Sequence, residues 1–140
     1  MTYQQWALIA DIYTPVIALV CFISILRVML KGNMQQGLIR LGLVILSTIF
    51  IYTMMFIDNI LHIWPAFRLD YSTHTAIALV FVSYFIVYKS RLMHLMVISM
   101  ISYALLMVHQ HYHSVADIVT TAVVILPITL LIQSQRFVKC

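Results

Sequence analysis

The sequence predicts an all-α fold, a polytopic membrane helix bundle of about five transmembrane helices, and three observations lead there. Apolar residues make up 64% of the 140 and charged residues only 9%, a balance far outside that of soluble domains. The apolar residues run continuously, in stretches near the ~20 residues a helix needs to cross hydrocarbon, rather than alternating as in a membrane barrel. Lipid leaves each backbone donor and acceptor to be satisfied within its own segment, which favours helices. Short breaks carrying charge, Gly or Pro separate the stretches, so residues 1–140 read as one transmembrane domain.

The first segment covers about residues 6–30. It lacks the cationic flank and small-residue cleavage site of a signal peptide, so it is expected to stay in place as a span. Lys31-Gly32-Asn33-Met34-Gln35-Gln36-Gly37 turns the chain into a second segment, about 39–63, whose end is expected where Pro65 follows Trp64. The third, about 72–88, closes at Lys89-Ser90-Arg91. The fourth, about 92–110, runs into His109-Gln110-His111-Tyr112-His113, and the fifth covers about 114–132.

If the segments alternate, Arg27, Lys31, Arg40, Lys89, Arg91, Arg136 and Lys139 share one side and Arg68 alone takes the other. The positive-inside bias then puts the N-terminus outside and the C-terminus in the cytoplasm. All four acids, Asp11, Asp58, Asp70 and Asp117, fall toward the outer side with His62, His74, His109, His111 and His113. This topology accounts for the formal charge of +4 without a nucleic-acid partner. Cys21 near mid-membrane and Cys140 on the inner side are badly placed for a disulfide. Tyr3, Trp6, Trp64, Tyr71 and Tyr112 fit an outer aromatic belt, and Asp58 and His62, four apart, fit either an extended site or a simple pair.

Two outer clusters carry candidate chemistry. Asp117 lies four residues after His113, a spacing that puts both on one helical face and lets the carboxylate accept a hydrogen bond from one imidazole nitrogen. The other nitrogen is then free to act as a nucleophile. His74 follows Ser72 at the head of the third segment, where a Ser cap and unpaired N–H groups attract an anion such as phosphate. The expected set is a nucleophile, its orienting acid, a second imidazole to protonate a leaving oxygen, and an anion pocket. Taken singly, each cluster is also what an interfacial hydrogen bond or a plain helix cap looks like.

Asp70-Tyr71-Ser72-Thr73-His74-Thr75-Ala76 resembles the Ser-Gly-His-Thr-Ala segment of the type 2 phosphatidic acid phosphatase superfamily. His113-Ser114-Val115-Ala116-Asp117-Ile118-Val119 resembles its His-x-x-x-Asp-Val segment, and His109-Gln110-His111-Tyr112 resembles a stretch of the sphingomyelin synthases within the same superfamily. The resemblance spans the third to fifth segments. It implies that His113, oriented by Asp117, is transiently phosphorylated and that His74 protonates the leaving group. Ser72, Thr73, Asp70, Arg68, His109 and His111 are then expected around the substrate, with His111 as the alternative nucleophile.

Three positions and one whole motif depart from the family pattern. Thr73 stands where the family has Gly, Met107 where it has Arg, and Thr121 where it often has Gly. Its first motif, a Lys followed by Arg-Pro, has no counterpart between Asp58 and Arg68, so Arg68 is the one outer cation left to stabilise phosphoryl charge.

The expected function is a lipid phosphatase or phospho-head-group transferase that needs no metal or cofactor. Its partner is a membrane lipid or lipid phosphate, its setting a bacterial inner membrane with the site facing the periplasm, or the luminal face of an organelle. The alternatives are a catalytically degenerate relative serving as a lipid-binding or assembly subunit, in a homo- or hetero-oligomer, and a haem or metal protein using the outer histidines.

Overall fold

A computed structural model describes residues 2–88, 90–111 and 113–134. It contains α1 (Tyr3–Leu30), α2 (Met34–Leu61), a single-turn α3 (Ile63–Ala66), α4 (Thr73–Tyr88), α5 (Ser90–His109) and α6 (Val115–Gln133), with no strand among the described residues. Each of the five expected segments overlaps one helix, α4 being shorter than the other four and α2 beginning about five residues before the expected start. Four helical stretches, Tyr3–Leu30, Met34–Leu61, Arg91–His109 and Val115–Gln133, are long and apolar enough to cross a membrane, and they mark an integral membrane protein.

The helix ends have local causes. Thr2 and Gln5 form a reciprocal capping box, with Gln5 N–H donating to Thr2 Oγ1 at 3.3 Å and Thr2 N–H to Gln5 Oε1 at 2.9 Å. Between α1 and α2, Gly32 takes φ +94, a left-handed conformation that Gly adopts without steric cost. A Cβ on Gly37 would run into Met29 Cγ, so this residue lets the start of α2 close on the end of α1.

The second segment ends differently from the sequence expectation. Pro65 does not stop α2; it lies inside α3, where an early helical Pro sacrifices no needed N–H. The stop is His62, left-handed at φ 52, whose N–H donates to Asp58 O at 2.7 Å. The Asp58 carboxylate bonds to backbone rather than to the His62 ring: its Oδ1 accepts the Trp64 N–H at 2.8 Å and so ties down α3.

α4 is the centre of the bundle. It is apolar on every face, the mark of a helix buried all round, and Ala76, Val80, Tyr84 and Phe85 are each fully enclosed. It packs against α1, α2, α5 and most extensively α6. At 16 residues it rises only ~24 Å, short of a typical bilayer core. The surrounding helices turn residues such as Leu19, Phe22, Ile49, Phe56, Leu105 and Val123 outward.

Polar contacts pin helix to helix. Ser83 Oγ meets Thr129 Oγ1 at 2.8 Å, Tyr13 OH meets Ser99 Oγ at 2.9 Å, and Tyr13 stacks on Tyr103 with ring centroids 4.3 Å apart. In lipid such interhelical bonds contribute about 0.6 kcal/mol on average. They align two ends: a His-rich end, with the starts of α1, α4 and α6, and a cationic end holding Arg27, Lys31, Arg40 and Arg91.

Candidate active site at the His-rich end

Ser114 begins α6 in an extended conformation and forms a capping box with Asp117. Asp117 N–H donates to Ser114 Oγ at 3.1 Å, and Asp117 Oδ2 accepts the Ser114 N–H at 3.0 Å. The other carboxylate oxygen reaches across to the loop before α4, where Oδ1 accepts the Asp70 N–H at 3.0 Å. A carboxylate at a helix N-terminus is also favoured by the helix dipole. One buried acid thus fixes the start of α6 and joins it to the α3–α4 loop.

His113 Nδ1 lies 3.7 Å from Asp117 Oδ2. That is an electrostatic contact, too long for the hydrogen bond that the His-x-x-x-Asp spacing predicts, and Nδ1 is buried with no hydrogen-bond partner among the described residues. The i, i+4 spacing delivers the two groups to one face; the capping box has already claimed Asp117 Oδ2 in the favourable direction.

Ser72 caps α4 as its position suggests, with Oγ accepting the Thr75 N–H at 3.2 Å and donating to Thr75 Oγ1 at 2.7 Å. It is fully buried, and its own N–H donates to Thr121 Oγ1 at 3.1 Å, so this cap binds protein rather than an anion. Thr121 in turn donates to Asp117 O at 2.8 Å. Thr121 is therefore the bracket between α6 and the head of α4.

His74 opens elsewhere. With Thr73, Asp11, Thr14, Tyr52 and Ile77 it lines a cavity of about 270 Å³ on the α1–α2 side of α4, whereas His113 and Asp117 belong to the α6 side. No hydrogen bond or ion pair joins His74 to His113 among the described residues. Thr73 donates to Met55 Sδ at 3.4 Å. Arg68 is exposed, in a left-handed turn at φ 59, and its N–H donates to Pro65 O at 2.9 Å. His111 is exposed at φ 60, and exposed His109 meets Trp6 edge-on with ring centroids 6.0 Å apart.

No protein-family model, curated protein or solved structure matches this chain. Among the described residues no cluster of His, Cys, Asp or Glu is arranged to hold a metal ion. One turn along α6 from Asp117, an apolar cavity of about 320 Å³ is lined by Ile63, Trp64, Phe67, Leu69, Thr120 and Val124. Trp64 Nε1 donates to Thr120 Oγ1 at 3.3 Å across it.

Two residues of this end, Tyr71 and Gln110, lie within the motif stretches but have no role of their own in the expected site. Tyr71 donates to Ile51 O at 3.0 Å, and burial, with the Asp58 carboxylate and Tyr52 adding to it, pushes its phenol well up from its ordinary value, so it stays a donor. Gln110 is buried and exchanges hydrogen bonds with Tyr3, whose OH donates to Gln110 O at 3.3 Å. Gln110 sits in the polar stretch 109–113, and nothing in that stretch singles it out from its exposed neighbours.

Proposed function

We propose that the chain crosses the membrane five times, N-terminus outside, and acts on a phosphate-bearing lipid at the outer leaflet as a divergent relative of the type 2 phosphatidic acid phosphatases. The outer side is the periplasm of a bacterial inner membrane or the lumen of an organelle. In this reading α4 is the short fifth span, accommodated by the helices around it. The observation that carries the proposal is the His113–Asp117 contact at 3.7 Å, close to an apolar slot of a size to take part of an acyl chain.

The proposed chemistry is phosphoryl transfer through His113. Its Nε2 attacks phosphorus, the P–O bond to the leaving group breaks, and Asp117 stabilises the imidazolium that forms. A proton reaches the leaving oxygen from His74 once that side chain turns toward α6, or from water. Water or a second lipid hydroxyl then takes the phosphoryl group from nitrogen. Arg68 at the loop is the cation available to the charge in flight.

A second reading is favoured by a specific observation: both Asp117 oxygens already serve backbone N–H groups, and His74 faces a different cavity. In that reading the chain keeps the scaffold as a non-catalytic lipid-binding or assembly subunit. Incubating purified protein with lipid phosphates and phosphodiesters, while following released phosphate and new lipid species, separates the two. The enzyme reading expects turnover that falls by about 10²–10⁴-fold in His113→Ala and His74→Ala. Full turnover in His113→Ala would sink the nucleophile assignment; no turnover by wild type on any lipid of the panel leaves the subunit reading.

A further inference from the structure

At the cationic end, α2, α4 and α6 enclose a cavity of about 440 Å³ that chemistry at the opposite end leaves unused. Gln36, Arg40, Tyr88, Gln133 and Ser134 give it a polar lining. Arg40 is held in place: Nη1 donates to Tyr84 OH at 3.3 Å, and the guanidinium carbon lies 4.2 Å from the centre of the Tyr88 ring. Its Nε is buried with no partner among the described residues, and no described carboxylate pairs with it.

Gln133 supplies the complementary group. It is fully buried; its Nε2 donates to Val80 O at 2.7 Å and its backbone oxygen accepts from Tyr88 OH at 2.8 Å. The Nε2 bond holds the side-chain amide, whose Oε1 is left without a partner among the described residues. The cavity lining therefore includes Arg40, whose buried Nε lacks an acceptor, and Gln133, whose buried Oε1 lacks a donor. Buried polar groups are seldom left unpaired, and a guanidinium fork is the side chain best matched to a phosphate.

We propose that this cavity binds a phosphate ester whose substituent bears an N–H or O–H donor, with the phosphate on Arg40 and the donor on Gln133. Such esters are the headgroups of phosphatidylethanolamine and phosphatidylglycerol. The cavity lies where helices end, at headgroup level for a bundle spanning a bilayer, and Arg27, Lys31 and Arg91 at the same end draw anions toward it. Phosphatidylcholine shares the phosphate, but its quaternary ammonium has no proton to give Gln133.

Native mass spectrometry of the delipidated full chain tests this directly, using phosphatidylethanolamine, phosphatidylglycerol and phosphatidylcholine with matched acyl chains. Wild type is expected to hold the first two up to about tenfold more tightly than the third, the size of one hydrogen bond. Arg40→Gln is expected to weaken all three, and Gln133→Leu to erase the preference. Equal binding of the three lipids by wild type would overturn the site, as would a preference unchanged in Gln133→Leu. The wild-type comparison decides even where a variant fails to fold. Soluble phosphoethanolamine and phosphocholine form a further arm: the same preference between them assigns the site to soluble esters, and its absence assigns it to lipid.

Discussion

The Asp117 carboxylate receives backbone N–H groups from Ser114 and from Asp70, which separates its structural worth from any chemical one. Asp117→Ala removes half of a capping box and strands the Asp70 N–H, and the expected loss is about 2–4 kcal/mol. Asp117→Asn keeps the side chain's shape and one acceptor oxygen, so it is expected to lose less than half of that. Denaturation of both variants in a mild detergent gives the comparison; equal losses would mean that the second oxygen holds the fold more than the first. His62, left-handed at φ 52 with a β-carbon, points to a change in the other direction. His62→Gly is expected to stabilise by about 0.5–1 kcal/mol, because Gly adopts that conformation without the steric penalty. Tyr71 sets an alkaline limit. Its phenol is raised in the fold above the ordinary 10.0, so its contribution is intact below pH 10 and fades as pH climbs through the folded value, by at most ~1.4 kcal/mol per pH unit. Tyr71→Phe should flatten that decline, and an unchanged slope would assign it to another group.

Among the elements, α4 and α6 are joined by a bracket at the His-rich end, where Thr121 Oγ1 accepts from Ser72 N–H and donates to Asp117 O. Thr121→Val keeps the volume but leaves the Ser72 N–H buried and unpaired, an expected loss of about 1–3 kcal/mol. Thr121→Ser, which keeps the hydroxyl, is expected to recover most of it. The long helices themselves were legible because bilayer thickness fixes their length and continuous apolar runs announce them. The end of α2 was not. Pro65 carries the familiar stop signal, yet the chain turns three residues earlier at His62, and what secures the turn is Asp58 reaching forward to the Trp64 N–H. A left-handed His and a carboxylate that caps the next helix leave no periodic mark in the sequence.

For the whole molecule, five crossings and four agree that Arg68 and Lys31 lie on opposite faces and differ over whether Arg91 shares the face of Lys31 or that of Arg68. With α4 crossing, single cysteines placed in a Cys140→Ser background at Arg68 and at Lys31 should label from opposite faces of sealed vesicles with an impermeant maleimide, and one at Arg91 should match Lys31. Labelling of the Arg68 and Arg91 sites from the same face would make α4 a buried helix that does not span. The candidate site divides in the same manner between what the chain spells and what folding arranges. Composition and segment length alone determined a membrane bundle, its helices and the clustering of acids and histidines toward one end, because hydrocarbon thickness and the expense of burying charge act on every segment separately. Tertiary structure alone decided that Asp117 would brace the α3–α4 loop, that His74 would open beside Asp11 and Tyr52, and that Arg40 and Gln133 would share a cavity. Those outcomes depend on how helices rotate against one another, and rotation is set by the packing of neighbours far apart in the chain, which no local spacing encodes.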